Sequence, residues 1–199
     1  NSGAIHLLKQ NPDKINWFWL SANPSAFHLI GEALEQNPDK IVWSMLSLNP
    51  NSKAIQLLEQ NPDKIDWDYL SKNPAAIHLI IEALEQNPEK INWHGLSQNP
   101  AAIHLISNAL EQNQDKIDWG MLSLNPKAIQ LLEQNPDKID WDYLSKNPAA
   151  IHLLEQNPDK IDWVWLSANT SAIHLLEQNQ DKIIWPLLSS NPAIFTYEL

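Results

Sequence analysis

Asn147 to Ala168 reads N-P-A-A-I-H-L-L-E-Q-N-P-D-K-I-D-W-V-W-L-S-A, and these 22 residues decide the fold. A residue before proline is driven out of the α region, where an N-cap belongs, and proline fits the first helical position, so Asn147-Pro148 predicts a helix start. Ala150, Ile151, Leu153 and Leu154 then form one apolar stripe, with Glu155 and Gln156 on the opposite side. Asn157-Pro158 predicts the stop, because Asn tolerates a left-handed cap and Pro cannot continue the helix. After a turn at Asp159 and Lys160, the spacing predicts a second helix from Trp163 to about Ala168, capped by Asp162, with Trp163 and Leu166 on one face. Isolated helices this short are marginal in water, so stacking against neighbours has to supply the stability.

The same unit recurs along the chain. Units span 1–22, 23–48, 49–72, 73–98, 99–124, 125–146, 147–168 and 169–190, with a partial ninth at 191–199. K-I-x-W-x-x-L-S occurs in all eight complete units, so Trp17, Trp43, Trp67, Trp93, Trp119, Trp141, Trp163 and Trp185 share one slot. Such a period defines an all-α solenoid of short two-helix repeats, 22 to 26 residues each. In the 26-residue units four residues enter the first helix, close to one turn, so it lengthens while keeping its buried face. The third unit instead carries Asn51 and Ser52 at its start, which reads as a longer loop. Lys53–Leu79 is identical to Lys127–Leu153 over 27 residues, the mark of recent block duplication. The chain starts at Asn1, without Met and inside a repeat, as a piece of a longer array would.

Composition narrows the function classes. With 24 acids against 13 bases, all Lys, the net charge is −11, which opposes nucleic-acid binding. There is no cysteine, hence no disulfide framework and no thiolate metal site. No apolar run reaches membrane-span length, and the expected setting is the cytoplasm.

The repeated slots hold few candidates for chemistry. The slot Trp stands two residues after an Ile and three before a Leu, which predicts core anchors. His6, His28, His78, His104, His152 and His174 share one slot of the first helix, with Gln56 and Gln130 in it elsewhere. Layers about 9–10 Å apart cannot share an ion with ligand bonds of about 2 Å, so the expectation is a hydrogen bond to a neighbouring unit or a solvent-facing row opposite the apolar stripe, with a polar row contacting a partner as the alternative, rather than a metal. Each Lys of the D-K-I slot adjoins an acid, which cancels a phosphate-binding row. No phosphate loop, metalloprotease motif or Ser/His/acid grouping stands apart from the repeat, so no enzyme activity, cofactor or metal is expected. Asn169-Thr170-Ser171 is a glycosylation sequon, but it falls at a helix start, where capping explains it better.

Within W-x-x-L-S-x only the x positions change. Fixed slots build a stack, and variable slots face outward or adapt locally. The second x holds Trp19, Met45, Tyr69, Met121, Tyr143 and Trp165, which nominates these six as a partner-binding row.

The pattern N-P-x-A-I-H-L-L-E-Q-N-P-D-K-I-D-W-x-x-L-S resembles the short Asn-Pro and Trp-containing tandem repeats encoded in many copies by giant DNA viruses of amoebae and algae. The resemblance covers essentially the whole chain. It implies a protein of the host cytoplasm or of the virus particle and carries over no catalytic residue. The expected function is a non-enzymatic protein-protein interaction scaffold, with a structural component of the particle as the alternative.

Overall fold

In the computed structural model, residues 5–112 and 114–195 are described, and among them the chain is all-α, with no strand. The unit start at Asn1 and the last four residues of the partial ninth repeat fall outside that range. The chain divides into two compact units, Asn1–Ala102 and Ile103–Leu199. The first holds α1 (Ile5–Gln10), α2 (Trp17–Ala22), α3 (Phe27–Gln36), α4 (Trp43–Ser47), α5 (Ser52–Gln60), α6 (Trp67–Leu70), α7 (Ile77–Gln86) and α8 (Trp93–Ser97). The second holds α9 (Ile103–Gln112), α10 (Trp119–Leu124), α11 (Ile129–Gln134), α12 (Trp141–Lys146), α13 (Ile151–Gln156), α14 (Trp163–Ser167), α15 (Ile173–Gln178) and α16 (Trp185–Ser189). Each odd-numbered helix and the even-numbered helix after it form one layer, and the protein is a tandem-repeat α-solenoid of such layers.

Local chemistry sets each boundary. Apart from α4 and α16, which follow Val42 and Ile184, the second helices open on a side-chain cap: the Asp162 carboxylate accepts the Trp165 N–H at 2.9 Å, and Asp140 accepts that of Tyr143 at 3.1 Å. The first helices start later than the Asn-Pro pair suggests. Asn147 Oδ1 accepts the Ala149 N–H at 3.0 Å, which closes a tight turn over Pro148, and α13 begins only at Ile151. In the first unit the matching segments, Pro24–Ala26 and Pro74–Ala76, are single 3₁₀ turns. At the far end, Asn157 is not left-handed: φ is −132°, and its side-chain amide donates to the Leu153 carbonyl at 2.8 Å. That bond satisfies a helix-terminal carbonyl that a left-handed cap would otherwise serve, and a 3₁₀ turn at Pro158–Lys160 follows.

The longer repeats behave as their spacing requires, α3, α7 and α9 having 10 residues where α13 has 6. The extra pair in the third repeat is not a loop. Asn51 caps α5 by accepting the Lys53 N–H at 2.9 Å, and Ser52 is the first helical residue.

The centre of the core is aliphatic. Leu46, Leu70, Leu96, Leu122, Leu144 and Leu166, the Leu of the six interior L-S pairs, are 0% exposed, as are Ile30, Leu58, Ile80, Ile106, Leu132 and Leu154 from the first helices. Full burial of one such side chain contributes roughly 1.5–3 kcal/mol. The slot Trp, expected there as anchors, instead flank it: Trp17, Trp43, Trp67, Trp93, Trp119, Trp141 and Trp163 are half-buried, and Trp185 is 59% exposed. The reason is a difference between the two helix rows. Neighbouring second helices pack directly on one another, α2 on α4 and α4 on α6 in the first unit, α10 on α12, α12 on α14 and α14 on α16 in the second. First helices meet less closely, touching through side-chain pairs such as His152 with Glu133, and clefts open between them with Trp at the base.

A buried polar ladder joins the layers. Ser145 Oγ donates to the Trp141 carbonyl at 2.8 Å and accepts the Asp162 N–H of the next layer at 2.9 Å. Asn169 Nδ2 reaches back to the Ser145 carbonyl at 3.0 Å. The pattern repeats at Ser21, Ser47 and Ser71 in the first unit and at Ser123 and Ser167 in the second. Among the described residues no buried side-chain polar atom lacks a partner. A ladder this complete fixes one register between layers, because a slip would strand a buried donor.

Candidate interaction surface

The variable slots lie on the second helices, and their exposure depends on the layer before. The second x residue of one layer leans on the first and third x of its predecessor. Lys146 Nζ lies 4.4 Å from the centre of the Trp165 ring, and the Tyr143 ring covers Gly120 so closely that a β-carbon there would stand 3.2 Å away. At Gly95 a β-carbon would meet Lys72 Cγ at 3.0 Å and the Asp68 carbonyl at 3.3 Å, and the slot is buried.

The six nominated residues therefore separate. Met45 is 4% exposed and belongs to the core, since α4 is pressed between α2 and α6; it is withdrawn from the row. Tyr69 is half-buried, with Lys72 Nζ 5.8 Å from its ring centre, and Met121 is half-buried as well. Trp19 is 66% exposed and meets Phe18 edge to face at 4.9 Å, but it lies in the first layer, with no described layer for it to lean on. Tyr143 and Trp165 lie in consecutive layers with neighbours on both sides and are still exposed, together with Val164 at 45%.

On the opposite side, the first-helix row carries the His slot. His78, His152 and His174 place Nε2 at 2.7, 3.0 and 2.7 Å from the carboxylates of Glu59, Glu133 and Glu155, each in the preceding layer. Of the outcomes open for this slot, these three take the neighbour-to-neighbour bond while staying about half exposed, and no group of three or more metal-ligating side chains forms among the described residues. In the first layer Lys9 stands where the others have Glu, and it pairs with Glu32 of α3 at 2.7 Å. This hydrogen bond and the Lys9 charge hold the exposed Glu32 carboxyl below its ordinary range.

The clefts between first helices have volumes of about 250, 380 and 330 Å³ at Trp17, Trp67 and Trp163. In each, the Lys of the next layer's D-K-I slot reaches over the Trp face: Lys40 to Trp17 at 5.5 Å, Lys90 to Trp67 at 5.3 Å and Lys182 to Trp163 at 4.6 Å. This is a cation–π contact between layers, so the slot Trp and Lys belong to the stacking apparatus. The sequon Asn is closed to modification in the same way, because Asn169 is 3% exposed and its amide nitrogen is committed to the Ser145 carbonyl.

Sequence reasoning missed the Ser–Asn ladder. Its signal was present in the unvarying S-x-N, which looks the same whether Asn only caps a turn or also crosses to the next layer.

Compared with protein-family models, with curated proteins and with solved structures, the chain gives no match. Its class accordingly rests on its own geometry: an α-solenoid with a fixed stacking apparatus and a variable second-helix row. Among the described residues no helix is long and apolar enough to cross a membrane.

Proposed function

We propose that the chain is a non-enzymatic scaffold that binds other proteins through the second-helix row of the 103–199 unit. One observation carries this reading: Tyr143, Val164 and Trp165 are exposed in two adjacent interior layers where sequence variation is tolerated. Aromatic side chains of this kind dominate protein contact energies, whereas structural residues of the repeat are buried or half-buried by their neighbours. Lys146 over Trp165 supplies a cation beside the aromatic surface, suited to a partner segment that joins an apolar anchor to a carboxylate. The lack of cysteine agrees with action in the cytoplasm.

The test is affinity capture from the source cell, comparing the native chain with a Tyr143→Ser/Val164→Ser/Trp165→Ser variant of equal melting temperature. A protein enriched by the native chain and lost with the variant is the expected result. An identical captured set would remove the row from consideration, and enrichment of particle proteins alone would favour the structural role.

A further inference from the structure

The clefts between first helices are built alike and differ in charge. At Trp17 and at Trp67 the layer that follows has the 26-residue form, and its longer first helix brings a glutamate to the cleft, Glu32 in one and Glu82 in the other. At Trp163 the following layer is short, and Gln178 stands at that place. The facing position, supplied by the layer before, is Lys9 at Trp17 and Glu59 at Trp67. One cleft is therefore lined by two lysines and one carboxylate, the other by one lysine and two carboxylates.

The Trp17 cleft shows what the two facing positions do together. Lys9 Nζ lies 2.7 Å from Glu32 Oε1, so side chains at these positions meet, while Lys40 keeps its place over the Trp17 ring at 5.5 Å. In the Trp67 cleft both positions are acidic. Glu59 has the His78 imidazole at 2.7 Å, and Glu82 accepts the Gln86 side-chain amide at 3.1 Å, but among the described residues no lysine pairs with either carboxylate. The lysine that lines this cleft, Lys90, lies over the Trp67 ring at 5.3 Å instead. Beneath the carboxylates the floor is apolar, formed by Ile65, Trp67, Leu79 and Ala83, and the volume of about 380 Å³ is that of a small ligand pocket.

We infer that the Trp67 cleft receives a primary alkylammonium group, the lysine side chain of a partner protein, with its ammonium between Glu59 and Glu82 and its methylene stem on the floor beside Trp67. The chain supplies the precedent, since a lysine occupies one of these two positions in the Trp17 cleft and pairs with the carboxylate of the other. An ammonium group has three donors and no acceptor, so one lysine serves both carboxylates at once and relieves the repulsion between them. It displaces nothing, because the lysine over the Trp ring and the lysine at the carboxylate coexist at Trp17. The net charge of −11 favours approach of a basic partner. The site belongs to the 1–102 unit and stands independently of the row proposed for the 103–199 unit.

Exposed ammonium–carboxylate pairs are individually weak, so a single lysine side chain is expected to bind with a Kd on the order of 10 mM. The test is an NMR titration of the full chain with Nα-acetyl-lysine methylamide, read at the Trp67 indole and at the Glu59 and Glu82 carboxyl carbons. Saturable shifts are expected there, with the Trp17 indole unmoved because Lys9 already holds Glu32. Glu59→Gln and Glu82→Gln are each expected to weaken binding at least about threefold, and Glu59→Lys, which copies the Trp17 cleft, to abolish it. Both positions are exposed, so far-UV circular dichroism and melting of the Gln variants are expected to match the native chain. n-Butylamine, which has the ammonium and stem without the peptide groups, is expected to bind no more tightly than the lysine derivative. No shift at Trp67, equal shifts with the neutral Nα-acetyl-norleucine methylamide, equal shifts at Trp17, or binding retained in Glu59→Lys would each overturn the inference. Tighter binding of n-butylamine would overturn the assignment to a partner's lysine and point to a free amine.

Discussion

Ser145→Ala removes one oxygen from the middle of the interlayer ladder, and its cost follows from the two bonds of that oxygen. Ser145 is 0% exposed, and its Oγ is the acceptor that the Asp162 N–H reaches at 2.9 Å. Alanine leaves that N–H buried and unpaired, a penalty of about 1–3 kcal/mol. The bond donated to the Trp141 carbonyl adds less, because a helical carbonyl keeps its ladder partner. The expected loss is about 2 kcal/mol, or a fall in melting temperature of roughly 4–8 °C for a chain of this size. Ser189→Ala is the internal control: it removes the same group from the same helical position, but that Oγ is exposed and accepts no interlayer bond among the described residues, so the loss is expected to stay below about 0.5 kcal/mol. Thermal melts of both variants at low micromolar concentration make the comparison. Equal shifts would show that the hydroxyl serves only its own helix and that the ladder does not hold the layers.

Leu144→Ala is expected to cost about 3 kcal/mol by emptying a fully buried site, and Trp141→Ala less than that because the ring is half-buried; a larger loss at Trp141 in chemical denaturation would restore the Trp to the centre of the core. Trp165→Ala is expected to cost under about 1 kcal/mol while weakening partner capture. Gly31→Ala meets nothing within 4 Å and is expected to stabilise α3 by about 0.5–1 kcal/mol, whereas Gly95→Ala presses on Lys72 and the Asp68 carbonyl and is expected to lower the melting temperature. Glu32 has its carboxyl pKa depressed by Lys9, so the contact contributes above the ordinary carboxylate range and is lost as pH falls through the depressed value. In an NMR titration, Lys9→Ala is expected to move the Glu32 midpoint up; an unmoved midpoint would remove Lys9 as the cause.

The layer boundaries were legible because K-I-x-W-x-x-L-S keeps its spacing and because Asp162 and Asn157 signal a helix start and stop on local chemistry alone. What remained hidden needed two layers at once. Asn147 was readable as a turn former through its Oδ1, but its Nδ2 bonds to Ser123 and Asn125 exist only once layers stack. The slot Trp looked like core by size and period, yet their burial depends on how far the first helices stand apart. Within the variable slot, Met45 is buried and Trp165 exposed, because burial there is set by the pairing of one layer's residue with its predecessor's. No single repeat encodes that pairing.

Amide hydrogen exchange tests the stacking account most directly, because the ladder protects N–H groups that belong to no helix. The amides of Asp66, Asn92, Asp140 and Asp162 each donate to a buried Ser Oγ of the preceding layer, whereas the equivalent amide of Asn16 has no described layer before it. In dilute solution the four are expected to exchange slowly, as core amides do, and Asn16 quickly. Fast exchange at all five would contradict the claim that a buried Ser–Asn ladder holds the repeats in register.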